Sequence, residues 1–236
     1  MEVRINKFLS EAGICSRRNA DVLVSEGRVS VDGVVAAMGT KVSDGQVVCV
    51  DGKAVKKEEE TVIIAFNKPV GIVCTAQPKE KNNVIDYINY PKRIFPIGRL
   101  DKDSEGLLLL TNDGDLMNSV LKAANGHEKE YIVSVDKNIT DEFVYKMSNG
   151  VPVLDRITAP CSVEKINKNT FRIILTQGLN RQIRRMCEYL GYNVISLKRI
   201  RIMNIELGNL GQGKYRNLSG KEKQKLYESV NKQSGV

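Results

Sequence analysis

The hydrophobic and polar positions of the first sixty residues predict two short helices followed by two β-hairpins. The first helix face has apolar residues spaced i, i+3, i+4 and i+7, namely Ile5, Phe8, Leu9 and Ala12. Gly13 ends this helix, and Ser16 is a favourable N-cap for a second helix that stops at Gly27. The alternating runs RVSVDGVVA and VVCVDGKAV each contain Asp-Gly, which is typical of a tight hairpin turn. The charged run KKEEE at 56–60 indicates a linker, so we place a domain boundary near residue 60.

Beyond that boundary, segments with strand and helix patterns alternate irregularly. Strands are predicted at 61–69, 71–76, 107–111, 129–135, 161–166, 170–177 and 193–205. Helices are predicted at 115–124, 140–150, 179–191 and 219–230. Several strands follow one another without an intervening helix, which favours an α+β fold with a mixed, largely antiparallel central sheet flanked by helices. We therefore expect two domains, 1–60 and 61–236.

Charge and composition narrow the function. The 36 Lys and Arg against 28 Asp and Glu give a formal charge of +8, which favours a polyanionic partner such as nucleic acid. No apolar run approaches the roughly 20 residues that span a bilayer, so we expect a cytoplasmic protein with no membrane partner. The five scattered cysteines suggest neither a zinc site nor a disulfide framework, and His127 is the only histidine. Chemistry in this chain must therefore use carboxylate, arginine, tyrosine or cysteine side chains.

Three stretches carry unusual chemistry. In FPIGRLDKDSEGLLLL, Asp101 lies just ahead of four leucines that read as a strand buried on both faces. A partly desolvated carboxylate is costly unless a cation holds it. Tyr131 opens a strand after the charged run HEKE. In the predicted helix 179–191, Arg181 and Arg184 share one face, where like charges repel unless they have a partner; solvated arginines are the alternative interpretation.

The first segment, Arg4 to Gly33, resembles the S4 RNA-binding domain. The resemblance includes the leading helix, the S-R-R helix start and the G-x-V-x-V-D-G hairpin. It implies a small fold of two helices and a hairpin with a basic surface for structured RNA, formed here by Arg4, Lys7, Arg17, Arg18 and Arg28. Arg17 and Arg18 also oppose the dipole of the helix they begin, which makes sense if they meet phosphates, although a tolerated surface pair is equally consistent.

The second segment resembles the pseudouridine synthases of the small- and large-subunit ribosomal RNA type. The resemblance is carried by FNKPxG, GRLD, TNDGD, KEY and NRQIRR, in the expected order over about residues 61–218. It implies isomerisation of uridine to pseudouridine with no metal or other cofactor. Asp101 would be the catalytic carboxylate, Tyr131 would stack on the flipped base and help with the proton at C5, and Arg184 would pair with Asp101. The resemblance also implies RNA contacts in the synthase segment from Arg99, Leu100, Lys102, Arg181, Gln182 and Ile183.

The choice of RNA is predicted from a finer resemblance within the family. The runs FPIGRLD, HEKEY, GLNRQIRRMCEYLGY and RIRIMNI are most similar to family members that act on large-subunit ribosomal RNA. We therefore expect a monomeric enzyme whose partner is structured RNA, 23S ribosomal RNA first and transfer RNA second. The alternatives are a synthase for small-subunit ribosomal RNA and a non-catalytic ribosome-assembly protein. A protein of the second kind would be expected to lack Asp101, Tyr131 or Arg184, and this chain has all three.

Overall fold

The computed structural model describes residues 2–56, 60–77, 79–122 and 126–232. The chain divides into two compact units. The first comprises residues 1–62 with the short segments 90–94 and 112–114, and the second comprises the remaining residues. Most of the predicted linker at 56–60 lies outside the described residues, and the domain boundary stays a prediction. No helix in the described part of the chain is long and apolar enough to cross a membrane.

The first unit has the predicted two helices and two hairpins. Its elements are β1 Val3–Arg4, α1 Ile5–Glu11, α2 Arg17–Ser25, β2 Val29–Val31, β3 Val34–Val35, β4 Lys41–Val42, β5 Val48–Val50 and β6 Lys53–Ala54. Strands β3-β2-β5-β6 form one sheet, and β1 pairs with β4 in a two-stranded ladder that the pattern did not predict. Asp32 and Gly33 have φ of 50° and 83°, the left-handed conformation that a tight Asp-Gly hairpin requires. The buried core joins α1 and α2 to the sheet through Leu9, Ala20 and Val29.

The second unit is built around a nine-stranded sheet. Its strands are β7 Ile63–Lys68, β8 Phe95–Ile97, β9 Glu105–Thr111, β10 Lys129–Val135, β11 Pro152–Val153, β12 Arg156–Ile157, β13 Ser162–Asn167, β14 Thr170–Leu175, β15 Val194–Ile202, β16 Ile205–Glu206 and β17 Tyr215–Asn217. Its helices are α3 Val84–Ile88, α4 Gly114–Leu121, α5 Asp141–Asn149, α6 Gln182–Tyr189 and α7 Gly220–Lys232. The main path of the sheet is β13-β14-β10-β15-β9-β7-β17, with β16 beside β15 and β8 beside β9, while β11 and β12 form a separate hairpin.

The mixed, largely antiparallel sheet is confirmed. The strand pair β9–β15 is parallel, whereas the other pairs of the nine-stranded sheet are antiparallel. Helices α5 and α6 pack on β10 and β14 in one hydrophobic cluster, and α4 and α7 pack on β7 and β9 in another. Leu107 to Leu110 have no exposed surface, because both faces of β9 are covered.

The predicted strand at 71–76 is wrong. Val73 makes a single parallel bridge to Asn83, and its N–H donates to the carbonyl of Asn82 at 2.8 Å. The free edge of β7 is instead paired with β17, a strand that the sequence pattern did not predict. The predicted helix at 115–124 ends at Leu121, and Ala123 and Ala124 lie outside the described residues.

The parallel pairing of β9 with β15 depends on Gly106. This residue has φ of 101° and pairs with Arg199. A Cβ atom at Gly106 would lie 2.3 Å from the carbonyl oxygen of Arg199 and 2.8 Å from its nitrogen. The glycine that follows the GRLD stretch therefore allows β9 to approach β15 closely, and it places Arg199 beside the entrance of β9.

Candidate active site

A cavity of about 660 Å³ opens beside the start of β9. Its walls come from the 96–104 segment, the first residues of β10, the 176–181 loop with the start of α6, and the middle of β15. Asp101, Tyr131, Arg181, Arg184 and Arg199 all line it. Its size is within the range of about 300–1,000 Å³ that is usual for small-molecule sites, so it has room for one nucleotide. The structure therefore brings together the residues that the sequence singled out in three separate stretches.

Asp101 is held at the cavity by the backbone of its loop. The N–H of Ser104 donates to the Asp101 carbonyl at 3.1 Å, the N–H of Leu100 donates to the Cys74 sulfur at 3.4 Å, and the N–H of Gly71 donates to the Lys102 carbonyl at 2.7 Å. The Asp101 side chain keeps 34% of its surface exposed. The loop is fixed at several points while Asp101 lines the cavity with its side chain partly exposed, an arrangement that suits a group that must meet a substrate.

The guanidinium that reaches Asp101 belongs to Arg181. Arg181 Nη1 lies 3.8 Å from Asp101 Oδ2, and the same side chain forms a fork to both carboxylate oxygens of Asp103 at 3.0 and 2.9 Å. Arg181 has φ of 52° and precedes α6 as its N-cap residue. This left-handed conformation is uncommon for a residue with a side chain, and it occurs here where the loop enters the helix.

The predicted pairing of Arg184 with Asp101 is wrong in this structure. Arg184 Nε lies 3.3 Å from Asp103 Oδ2, and Nη2 donates to the Asp103 carbonyl at 2.8 Å. Its Nη1 donates to the Val194 carbonyl at 3.3 Å. Arg184 lies in the first turn of α6, after the N-cap residue Arg181. From this position its side chain reaches Asp103 and not Asp101. Arg184 thus ties the 103–104 backbone to β15, and it lines the cavity without contacting Asp101.

Arg181 and Arg184 together stabilise the negative charge of Asp103. The hydrogen bonds from Arg181, assisted by the nearby charge of Arg184, lower the pKa of the Asp103 carboxyl below its usual value. A carboxyl whose pKa is lower in the folded state contributes stability above its unfolded pKa of about 3.9, and the contribution is lost as the pH falls through the folded pKa.

We therefore expect Asp103→Asn to be less stable than the wild type at pH 6, by no more than about 1 kcal/mol because the carboxylate is half-exposed. The two proteins should converge in stability as the pH falls below about 4. Urea unfolding followed between pH 3 and 7 measures this difference. A stability gap that stays constant over the whole range would contradict a role for the Asp103 charge.

Tyr131 lies on β10 between two neighbours in the sheet. It pairs with Ile173 of β14 on one side and with Arg199 of β15 on the other. Its ring is half-buried against the cluster that includes α6, and the Arg199 Cζ atom lies 6.0 Å from the ring centroid. A half-exposed aromatic ring at the wall of a cavity provides a flat surface on which a base can stack.

The residues predicted to contact RNA near the cavity fall into two groups. Arg99 and Lys102 are exposed, as a phosphate contact requires. Leu100, Gln182 and Ile183 are at least nine-tenths buried and line the cavity wall. Their predicted contacts are therefore restricted to a nucleotide that enters the cavity.

Gln182 has a clear local function. Its Oε1 accepts the N–H of Leu179 at 3.0 Å, and its Nε2 donates to Gln177 at 3.1 Å. These bonds close the loop that leads into α6. The side chain therefore supports the cavity wall that positions Arg181.

In the first unit, some of the predicted RNA-binding residues are exposed, and others are paired with a carboxylate. Arg4, Arg17 and Arg18 are exposed. Lys7 lies 3.5 Å from Glu11, and Arg28 forms a fork to Asp51 with bonds of 2.8 and 2.7 Å. Ser16 caps α2 by accepting the N–H of Asn19 at 3.2 Å, so Arg17 and Arg18 do open a helix.

The residues of the site that were not predicted include Cys74, Asp103, Lys129 and Arg199. Arg199 could have been found from the alternation of β15, since it is two residues from the buried Leu197 and must share its face. The role of Asp103 could not have been predicted from local sequence, because its partner Arg181 is 78 residues away. Burial lowers the pKa of both Lys129 and His127, which favours the neutral form of each side chain. The described residues contain no group of His, Cys, Asp and Glu that could hold a metal ion.

Both segments of the chain are similar to known proteins. Residues 62–189 match the family model for RNA pseudouridylate synthase, and residues 3–48 match the S4 domain. The Salmonella typhi protein named dual-specificity RNA pseudouridine synthase RluF is 53% identical over 229 residues, covering 96% of this chain and 79% of that protein. The Bacillus subtilis ribosomal large subunit pseudouridine synthase B is 37% identical over 232 residues, covering 94% of this chain and 95% of the relative.

A solved structure shows the same architecture. The crystal structure of a pseudouridylate synthase superposes with a TM-score of 0.69 at 26% identity, covering 95% of this chain and 99% of that one. The match confirms the α+β fold, and the family-model match confirms the S4 domain at the N-terminal end. The chain belongs to the RNA pseudouridine synthase family and carries an S4 domain ahead of its synthase unit.

Proposed function

We propose that the protein isomerises one or more specific uridines in large-subunit ribosomal RNA, with transfer RNA as a second substrate, and that Asp101 is the catalytic carboxylate. The observation that carries the proposal is the position of Asp101, which lies at a nucleotide-sized cavity with Tyr131 on its wall and Arg181 3.8 Å away. The names of two relatives support the choice of RNA, one being a large-subunit enzyme and the other a dual-specificity enzyme. We expect the enzyme to act as a monomer.

The proposed reaction begins with a base flipped out of the RNA and stacked against Tyr131. The C1′–N1 bond breaks with its electron pair remaining on uracil, and Asp101 compensates at the sugar, either by bonding C1′ or by taking a ribose proton. Uracil turns, and C5 bonds to C1′ as the bond from Asp101 to C1′ breaks or, on the second route, as Asp101 returns the proton to the ribose. The proton then released from C5, with the help of Tyr131, is balanced by one gained at N1. Atoms and electrons balance without an oxidant, a reductant or a cofactor.

Arg181 has the position that such a mechanism requires of a cation. Its fork to Asp103 holds the guanidinium in place, and its Nη1 atom remains near Asp101. A guanidinium held in this way orients the Asp101 side chain before the substrate arrives. In this proposal Arg184 is a positioning residue, because its bonds to the Asp103 and Val194 carbonyls fix the loop that carries the carboxylates.

The first unit supplies affinity and site choice in this proposal. Arg17 and Arg18 are exposed at the start of α2, beside the free N–H groups of a helix end, where phosphate binds favourably. We expect the double variant Arg17→Gln/Arg18→Gln to bind ribosomal RNA more weakly. The slope of log affinity against log salt should become shallower, by about 0.7–0.9 for each phosphate that the variant no longer neutralises.

A matched control for this prediction removes the same charge elsewhere. Lys221 and Lys225 are exposed on α7, outside the predicted RNA surface, and the double variant Lys221→Gln/Lys225→Gln should retain the wild-type slope. Equal slopes for the two double variants would mean that the helix start does not bind phosphate.

The experiment that tests the choice of substrate is a map of pseudouridines in total RNA from cells with and without the gene. We expect at least one pseudouridine to disappear from large-subunit ribosomal RNA and to return when the gene is supplied again. Disappearance confined to small-subunit RNA would support the alternative synthase. An unchanged map in both ribosomal and transfer RNA would overturn the proposal.

A further inference from the structure

Arg199 is a buried cation with an unsatisfied donor at the wall of the cavity. Only 4% of its surface is exposed. Its Nε donates to the Leu107 carbonyl at 2.7 Å, and its Nη2 is buried without a hydrogen-bond partner. Among the residues that the structure describes, no carboxylate forms an ion pair with it.

An orphaned buried donor on a charged group is unfavourable. A buried cation without a counter-ion loses its hydration and gains no ion pair in return. The two neighbouring lysines differ from Arg199, because neither ammonium nitrogen is a buried atom without a hydrogen-bond partner. Lys68 Nζ donates to the Pro69 and Ile72 carbonyls, both at 2.8 Å, and Lys129 Nζ donates to the His127 carbonyl at 3.1 Å. Arg199 Nη2 is therefore available to donate a hydrogen bond to a bound ligand.

The surroundings of Arg199 identify the kind of acceptor. Its backbone is fixed on both sides, by pairing with Tyr131 of β10 and with Gly106 of β9. Its guanidinium lies near the Tyr131 ring, on the cavity wall where the proposed function places the flipped base. A uracil stacked there presents two carbonyl oxygens at its edge and no charge until its bond to the sugar breaks.

We propose that Arg199 is a uracil-recognition residue, whose free Nη2 donates a hydrogen bond to a carbonyl oxygen of the target base and stabilises the negative charge on that oxygen while the base is detached. This inference rests on the proposed function. Once the C1′–N1 bond has broken, the electron pair left on N1 is delocalised onto O2 and O4. A donor fixed in advance at one of these oxygens favours the transition state over the neutral ground state.

The same contact selects uracil over cytosine if the acceptor is O4. Cytosine carries an amino group at position 4, and a guanidinium offers only donors, so the two groups would oppose each other. A site built to hydrogen-bond one group discriminates strongly against a base that lacks it, because its own buried donor is then left unpaired.

The experiment is a set of single-turnover measurements at saturating enzyme, which separate chemistry from binding. The substrates are a synthetic RNA containing the mapped uridine and the same RNA with 2-thiouridine or 4-thiouridine at that position. The enzymes are the wild type, Arg199→Gln and Arg199→Lys. We expect Arg199→Gln to react about 10²–10³-fold more slowly on the natural RNA, as when one preorganised donor is removed. One of the two thio substitutions should slow the wild type and have no further effect on Arg199→Gln.

Lys198→Gln is the matched control, because Lys198 is adjacent in β15, lies outside the lining of the active-site cavity and carries the same charge. It should react at nearly the wild-type rate. Arg199→Lys retains the cation, so it should be faster than the glutamine variant and should show a weakened thio effect. It also provides the test if the glutamine variant does not fold.

Two results would overturn the inference while leaving the proposed function intact. In one, both thio substitutions slow the wild type and the Arg199 variants by the same factors. In the other, a further substrate with a phosphorothioate beside the target uridine slows the wild type but not Arg199→Gln, which would assign the side chain to the phosphate. A wild-type enzyme that forms no pseudouridine in the natural RNA would overturn the proposed function itself.

Discussion

Replacing Asp101 by asparagine is expected to abolish uridine isomerisation while RNA binding remains close to that of the wild type. The amide keeps the shape of the side chain but can neither bond to the sugar carbon nor accept a proton as the carboxylate does. Because Asp101 has 34% of its side chain exposed and makes one long ion pair at 3.8 Å, the substitution should leave the fold intact. The measurement is single-turnover formation of pseudouridine, with affinity for the same RNA determined separately.

The neighbouring carboxylate provides a matched control. Asp103→Asn makes the same chemical change two residues away and removes the charged partner of Arg181 and Arg184. We expect it to slow the reaction by loosening the arginines, without abolishing it. If Asp103→Asn were inactive and Asp101→Asn active, the two carboxylates would have to exchange roles.

Replacing Gly106 by alanine is expected to destabilise the synthase unit severely. The added Cβ would lie 2.3 Å from the Arg199 carbonyl oxygen, and that neighbour is strand backbone, which cannot move aside as a side chain can. The φ of 101° adds strain of about 1–3 kcal/mol for a residue with a side chain. We expect the free energy of unfolding to fall by about 3 kcal/mol or more.

Urea unfolding measures this effect, and Gly220→Ala is its control. Gly220 begins α7, its φ lies outside the left-handed region, and a Cβ there would have no heavy atom within 4 Å. The control should therefore be at least as stable as the wild type, since alanine favours the helix. A Gly106→Ala protein as stable as the control would show that β9 and β15 can separate at little cost.

Local sequence signals predict the elements that frame the site. The predicted bounds of β10 coincide with those in the structure, because KEYIVSV is rich in aromatic and β-branched residues, which favour a strand. The burial of Leu107 to Leu110 follows from an apolar run alone. In these places the short-range pattern and the tertiary environment favour the same structure.

The pairing of charges could not be predicted in the same way. Whether Arg181 or Arg184 approaches Asp101 depends on where α6 begins and on the left-handed conformation of Arg181, and neither follows from helical periodicity. The edge strand β17 pairs with β7, which is distant in the sequence, and Tyr215 to Asn217 carry no strand pattern that marks them. Contacts between distant segments decided both outcomes.

The most direct measurement of the proposed activity uses purified protein and an unmodified transcript of large-subunit ribosomal RNA, incubated in buffer that contains a metal chelator. Pseudouridine is then mapped along the transcript at a series of times. We expect it to appear at the position that is unmodified in cells without the gene, at the same rate with and without the chelator, and not with Asp101→Asn. A transcript that is bound by the wild-type protein but acquires no pseudouridine at that position would contradict the proposed function.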